Sequence, residues 1–132
     1  MSFGQRDYDR QKPEIDFPDH DVPAELVVDD LIEGTGTEAR PGSTVSAHYV
    51  GVAFSTGEEF DSSWGRGAPL DFKVGVGQVI QGWDQGLLGM KVGGRRRLEI
   101  PSELAYGERG AGGAIGPNEA LIFVVDLVGV RD

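Results

Sequence analysis

Cysteine is missing altogether from this chain of 132 residues, which removes disulfides, thiolate catalysis and cysteine-ligated zinc together. Histidine is almost missing. His20 lies in a proline-broken segment and His48 in an alternating run, so a two-histidine metal site would need a long-range coincidence, and neither metal nor cofactor is expected. No apolar run reaches the roughly 18 residues of a membrane span, and Met1 to Lys12 is polar and charged, so a cytoplasmic location without membrane contact is the default expectation. Cations are scarce: 12 Lys and Arg stand against 22 Asp and Glu, for a net charge of -10 and a pI near 4.5. That balance disfavours nucleic acid as a partner. Nucleotide motifs are incomplete too. Gly75-Val76-Gly77 lacks the third glycine of a dinucleotide fingerprint, and the Gly110 to Gly116 loop lacks the Gly-Lys-Ser/Thr ending of a phosphate loop. No serine has a histidine partner suggested by spacing, so covalent catalysis has no support.

The length fits one compact domain. Residues 1–24 read as an acidic tail broken by Pro13, Pro18 and Pro23, with no Lys or Arg between Pro13 and Ala39; it is either a solvated arm or a docking arm for a basic partner. The domain proper spans 25–132. Leu26 to Ile32 reads as a first strand, with Asp29-Asp30 marking a bulge. Thr44 to Val52, Glu59 to Ser63 and Leu70 to Val74 follow as strands on the alternation of apolar and polar residues. In the next strand Leu98 and Ile100 point one way, while Arg95, Arg97 and Glu99 form a charged, solvated outer face up to Pro101. A glycine-rich loop from Tyr106 to Glu119 leads to a last strand, Leu121 to Val128.

Only Val79 to Leu88 departs from this alternation. Ile80, Trp83 and Leu87 stand at i, i+3 and i+7, and Gly89 follows where a C-terminal cap belongs. Gly82 and Gly86 each cost about 1 kcal/mol relative to Ala in a helix, which close approach of a sheet would offset. The fold class is therefore α+β: a twisted antiparallel sheet of about five strands around one short helix. Six aromatic rings gather on its alternating faces: Tyr49, Phe60, Phe72, Trp83, Tyr106 and Phe123. They form either an ordinary aromatic core or, with Asp61 and the phenols converging, an apolar ligand site with Trp83 as its floor.

Ala47-His48-Tyr49-Val50-Gly51, Phe60-Asp61-Ser62-Ser63, Val79-Ile80-Gln81-Gly82-Trp83, Gly89-Met90-Lys91-Val92-Gly93 and Leu104-Ala105-Tyr106-Gly107 together resemble the FKBP-type peptidyl-prolyl cis-trans isomerases, in particular their small single-domain, bacterial-like members. The resemblance runs from about Leu26 to the C-terminus. It implies rotation of X-Pro peptide bonds, assistance to protein folding as a chaperone, proline-containing peptides or unfolded proteins as partners, ligands of the tacrolimus and rapamycin type, and a monomer. By the same carry-over Trp83 is the floor of the cleft, and Tyr49, Phe60, Phe72 and Phe123 its walls. Val79 and Ile80 sit at the helix entry and Tyr106 reaches over from its loop. Asp61 is the polar wall, Arg66 its partner, and Ile115 lies in the overhanging loop. Asp61, Tyr106, Trp83 and Phe123 are then the catalytic candidates and the remainder substrate-binding. Leu70 stands where well-known members have an aromatic, Gln78 where they have an acid, and Ala111 and Ala114 replace bulkier loop residues. These departures bear on substrate preference and drug affinity more than on activity.

Such residues suit a reaction that needs no nucleophile. A twisted amide is less polarised than a planar one, so a dry aromatic cleft penalises the ground state, while the Tyr106 hydroxyl and the Ile80 N–H anchor substrate carbonyls. Asp61 either orients Tyr49 and Arg66 or forms a buried structural ion pair with the arginine. The competing reading is a binding module that holds proline-containing or apolar segments without turnover.

Overall fold

The computed structural model describes residues 11–131. Strands β1 (Val27–Ile32), β2 (Thr44–Ala53), β3 (Glu59–Ser62), β4 (Leu70–Lys73), β5 (Arg95–Ile100) and β6 (Leu121–Arg131) form one antiparallel sheet, with helix α1 (Gln81–Gly86) between β4 and β5. The spatial order is β1-β5-β6-β2-β3, and β4 also pairs with β2. The sheet has six strands where about five were expected, each at a segment read as a strand from the sequence, and two four-residue strands share one edge of β2. β4 lies opposite Thr44 to Ala47 and β3 opposite Val50 to Val52. Between them, at His48 and Tyr49, no strand pairs with that edge of β2; Ser63 caps the Tyr49 N–H and carbonyl there, and the loop to Pro69 leaves the sheet. β1 slips register between Asp30 and Ile32, close to the anticipated bulge.

Helix α1 is shorter than the apolar period predicted. Ile80 is extended, with ψ 151°, and Leu87, still right-handed at φ -94° and ψ -10°, is the C-cap, so these two residues flank a helix of six. The reason is the sheet below. A Cβ on Gly82 would lie 2.5 to 2.9 Å from the Ile100 side chain, and one on Gly86 2.9 to 3.5 Å from Leu98. The two glycines thus let α1 lie directly on β5, as their cost in a helix suggested. Trp83 and Leu87 pack into the core formed by Tyr49, Leu98, Ile100, Phe123 and Val125 on this inner face.

The outer face overturns one expectation. Arg95, Arg97 and Glu99 do alternate away from Leu98 and Ile100, yet they are not solvated. Arg95 pairs with buried Asp126 at 2.8 Å, and Arg97 with Glu99 at 3.1 Å. Arg96 lies on the inner side, where it bonds Asp30 and donates to the Gly86 and Leu88 carbonyls at 2.8 and 3.1 Å, closing the C-terminal end of α1. Cover comes from the segment expected to be a tail. Ile15 packs on Val52, Phe54, Ala120 and Ile122, Lys12 pairs with Glu59, and His20 reaches Glu99 at 2.8 Å. Residues 11–24 are thus an arm docked on the sheet; the part of the predicted tail from 1 to 10 lies outside the described residues. No described helix is long and apolar enough to cross a membrane.

Candidate active site

The break in the β2 edge decides what stands at the site. Tyr49 comes from the middle of β2, Asp61 from β3 and Leu70 from the first position of β4, the last two entering from opposite ends of that edge. Opposite them, Asp84 of α1 fixes the rim. Its carboxylate accepts the N–H groups of Gly75 and Gly77 at 2.7 and 2.8 Å, and both glycines have positive φ, a turn geometry that favours residues without a Cβ. This clamp sets the path of Gln78, Val79 and Ile80 into α1. Gln78 adds to it by accepting the Lys73 N–H at 2.9 Å.

Between these elements lies an open cleft of about 420 Å³ lined by Tyr49, Phe60, Asp61, Leu70, Gly77, Gln78, Val79, Ile80, Trp83, Tyr106 and Phe123. Its floor is a set of rings meeting mostly edge to face. Trp83 lies 5.0 Å from Tyr49 at 80° and 5.1 Å from Phe123 at 81°, and Phe60 meets Phe123 at 5.5 Å and 88°. Such pairs are favoured by the ring quadrupoles. Three anticipated residues do not line it. Phe72 backs Trp83 at 5.4 Å, Arg66 stands behind Tyr49 and Asp61, and Ile115 is buried in the core.

Asp61 Oδ2 accepts the Tyr49 hydroxyl at 2.6 Å, and Oδ1 accepts Arg66 Nη1 at 3.1 Å and the Ser62 N–H at 2.8 Å. Arg66 Nη2 donates to the Tyr49 hydroxyl at 2.9 Å, which closes a triangle. Burial, reinforced by the bond to Asp61, pushes the Tyr49 phenol above its ordinary pKa, so it stays a donor at neutral pH. The Asp61–Arg66 pair is not buried: the two side chains are 44% and 51% exposed. A pair of that kind contributes at most about 1 kcal/mol to stability, so its main effect is to orient Tyr49. Tyr106 is also held in its neutral form, by burial first and the Asp61 charge second. Among the described residues neither the Tyr106 hydroxyl nor the Ile80 N–H has a hydrogen-bond partner. The cleft therefore offers these two donors beside a fixed carboxylate and over an aromatic floor whose buried Trp83 indole N–H also lacks a partner among the described residues.

Two contributors were not foreseen. One is Asp84. The other is Gly51, where a Cβ would lie 2.6 Å from Phe123 and 2.7 Å from Phe60. Its missing side chain makes room for the ring pair that forms one wall.

The family model for FKBP-type peptidyl-prolyl cis-trans isomerase matches residues 35–128. The chain belongs to that family. Its activity is accordingly that of a peptidyl-prolyl cis-trans isomerase. An FK506-binding protein from Streptomyces anulatus is 66% identical over 121 residues, which span 91% of this chain and 98% of the relative. The peptidyl-prolyl cis-trans isomerase FPR2 of Saccharomyces cerevisiae is 52% identical over 100 residues, 76% of this chain and 74% of that one. Among solved structures, AtFKBP13 superposes with a TM-score of 0.76 at 44% identity, covering 83% of this chain and 96% of that chain. FkpA from Escherichia coli gives 0.73 at 40% identity over 80% of this chain and 48% of its own. Fold and family thus agree with the resemblance carried by the motifs.

Proposed function

We propose that the cleft over Trp83 is where this isomerase acts, and that it works by desolvation and placement alone. The observation that carries this reading is the pair of unpartnered donors, Tyr106 OH and Ile80 N–H, on the rim of an aromatic cleft. Planar amides are polarised by resonance, and rotation about the C–N bond meets a barrier of about 18 to 20 kcal/mol. The twisted amide has lost that resonance and some of its polarity. Seating the prolyl ring on Trp83 removes water from the amide and so raises the planar state more than the twisted one.

The two donors then anchor carbonyls flanking the bond and hold the substrate in a bent conformation. Asp61, fixed by Tyr49 and Arg66, presents a constant negative wall beside the rotating carbonyl. A millionfold acceleration corresponds to about 8 kcal/mol, shared among desolvation, placement and these hydrogen bonds. Leu70 and Gln78 leave the rim small and uncharged, which favours an apolar residue before the proline. We extend the proposal to ligands of the tacrolimus and rapamycin type in the same cleft, to action on unfolded chains as a folding assistant, and to a monomeric protein in the cytoplasm.

The direct test is cis-to-trans relaxation of an Ala-Leu-Pro-Phe peptide with and without the protein, repeated with tacrolimus. Fast relaxation abolished by the ligand is the expected result. Relaxation at the spontaneous rate with the peptide still bound would replace this mechanism by simple binding.

A further inference from the structure

His48 and Tyr49 are neighbours on β2 and point to opposite faces of the sheet, Tyr49 into the cleft and His48 away from it. Both are tied to the start of the loop after β3. The Tyr49 N–H donates to the Ser63 hydroxyl at 2.7 Å, the Ser63 N–H donates to the Tyr49 carbonyl at 3.0 Å, and His48 Nδ1 lies 2.8 Å from the same hydroxyl. Ser63 is fully buried, so this hydroxyl is a structural joint and no nucleophile. The next residue, Trp64, lies flat on His48, with ring centroids 4.4 Å apart and planes within 18°.

Trp64 opens the short 3₁₀ turn Trp64–Arg66, which is closed by the Arg66 N–H donating to the Ser63 carbonyl at 3.1 Å. The indole N–H of Trp64 is buried and has no hydrogen-bond partner among the described residues. Its ring orientation therefore serves the stack and forgoes a hydrogen bond. Two residues further on, Arg66 spans Tyr49 and Asp61 with a side chain that is half exposed. A half-exposed arginine loses rotamer freedom when held in one geometry, so it needs a fixed backbone origin to remain there.

We propose that Trp64, seated on His48, is a positioning residue for the cleft: the stack fixes where the 3₁₀ turn leaves the sheet and so holds the Arg66 guanidinium on the Tyr49 hydroxyl and Asp61. This rests on the reading of the cleft as the isomerase site. Trp64 touches no substrate and acts only through Arg66.

The test is a double-mutant cycle of Trp64→Leu and Arg66→Ala, read by kcat/KM on the prolyl peptide and by the Arg66 Nε–H resonance in NMR, with Trp64→Phe as the conservative variant. The expected result is a loss of about fivefold for Trp64→Leu, the size of one hydrogen bond, with most of it restored by Trp64→Phe. In the Arg66→Ala background the leucine substitution causes no further loss, because coupled residues are not additive. The Arg66 resonance should be sharp and shifted in the wild type and averaged toward free arginine in Trp64→Leu. Equal losses in both backgrounds, or an unchanged Arg66 resonance, would overturn the proposal. The NMR arm does not depend on catalysis, so a protein without turnover would refute the cleft mechanism and still leave the brace on trial. If Trp64→Leu fails to fold, wild type and Trp64→Phe against His48→Leu provide the same stacked and unstacked comparison.

Discussion

The same three strands, β5, β6 and β2, present two unlike faces. On the side covered by α1, Tyr49 and Phe123 meet Trp83 edge to face and leave an open hollow. On the other side, Asp126 of β6 and Glu99 of β5 are buried against Arg95 and Arg97 under the N-terminal arm. Rings can border an empty hollow because they have few polar atoms to satisfy. Buried charges need partners and cover, which here come from Arg95, Arg97 and the arm. The inner face is therefore open to a substrate at its rings, while on the outer face the arm covers the buried charges and bounds a hollow of about 510 Å³ with Arg97 and Glu99.

Trp83→Ala should break the comparison hardest. It removes a buried side chain from both core and floor, at a cost of about 3 to 5 kcal/mol, and turnover should fall even among folded molecules. Denaturant unfolding and peptide relaxation measure the two effects separately. Phe54→Ala on the outer face should lower stability too but leave turnover per folded molecule unchanged, because Phe54 packs with the arm-covered cluster and the His20 ring and lines no part of the cleft. If Phe54→Ala impaired catalysis, the two faces would not be independent.

Gly51→Ala comes next. Its new methyl group would meet the Phe123 and Phe60 rings, and overpacking of this kind costs about 1 to 3 kcal/mol. Binding of a prolyl peptide should weaken more than the melting temperature alone accounts for, since the displaced rings form a cleft wall. Calorimetric titration against thermal unfolding checks this. A stability loss with unaltered affinity would show that the Phe60–Phe123 pair is only core.

These two residues also mark what could be read in the sequence. Alternation located β2, β5 and β6, and the pair Gly82 and Gly86 announced close approach of a sheet, because period and missing side chains are local signals. Gly51 carried no such signal: its neighbours Phe60 and Phe123 come from other strands. The arm was misjudged for the same reason. A polar segment broken by prolines has no period, and its anchors are single side chains, one of them His20 bonded to a residue 79 positions away. Within the site, the triangle of Tyr49, Asp61 and Arg66 was legible through family motifs and not through spacing. The Asp84 clamp is a loop-to-helix contact that no pattern of apolar residues encodes.

Tyr106→Phe sharpens the inner half of the comparison. The hydroxyl has no partner within the described residues, so its removal should leave stability nearly unchanged. Loss of one hydrogen bond to substrate corresponds to about 0.5 to 1.5 kcal/mol, or roughly tenfold or less in kcat/KM. A drop nearer a thousandfold would mean proton transfer by the phenol, which desolvation and placement do not require.

The smallest effect belongs to the outer face. His20 bonds Glu99 and lies 3.5 Å from Asp19, and the Glu99 bond first, then Asp19, raises its pKa above the ordinary 6.5. A raised histidine pKa means that the folded, arm-docked state binds the proton more tightly than the released arm does. The contribution is complete below pH 6.5 and disappears as pH rises through the raised value. Because His20 is half exposed, the change should be confined to the arm. Amide exchange at residues 15–20, followed from pH 5 to 8 with correction for intrinsic rates, should show protection falling with pH, and His20→Gln should flatten the profile. Peptide turnover should be the same for both proteins at every pH, since the hollow on the inner face shares no residue with the latch. A turnover profile that followed the arm's protection would instead show that closing one face of the sheet tunes the other.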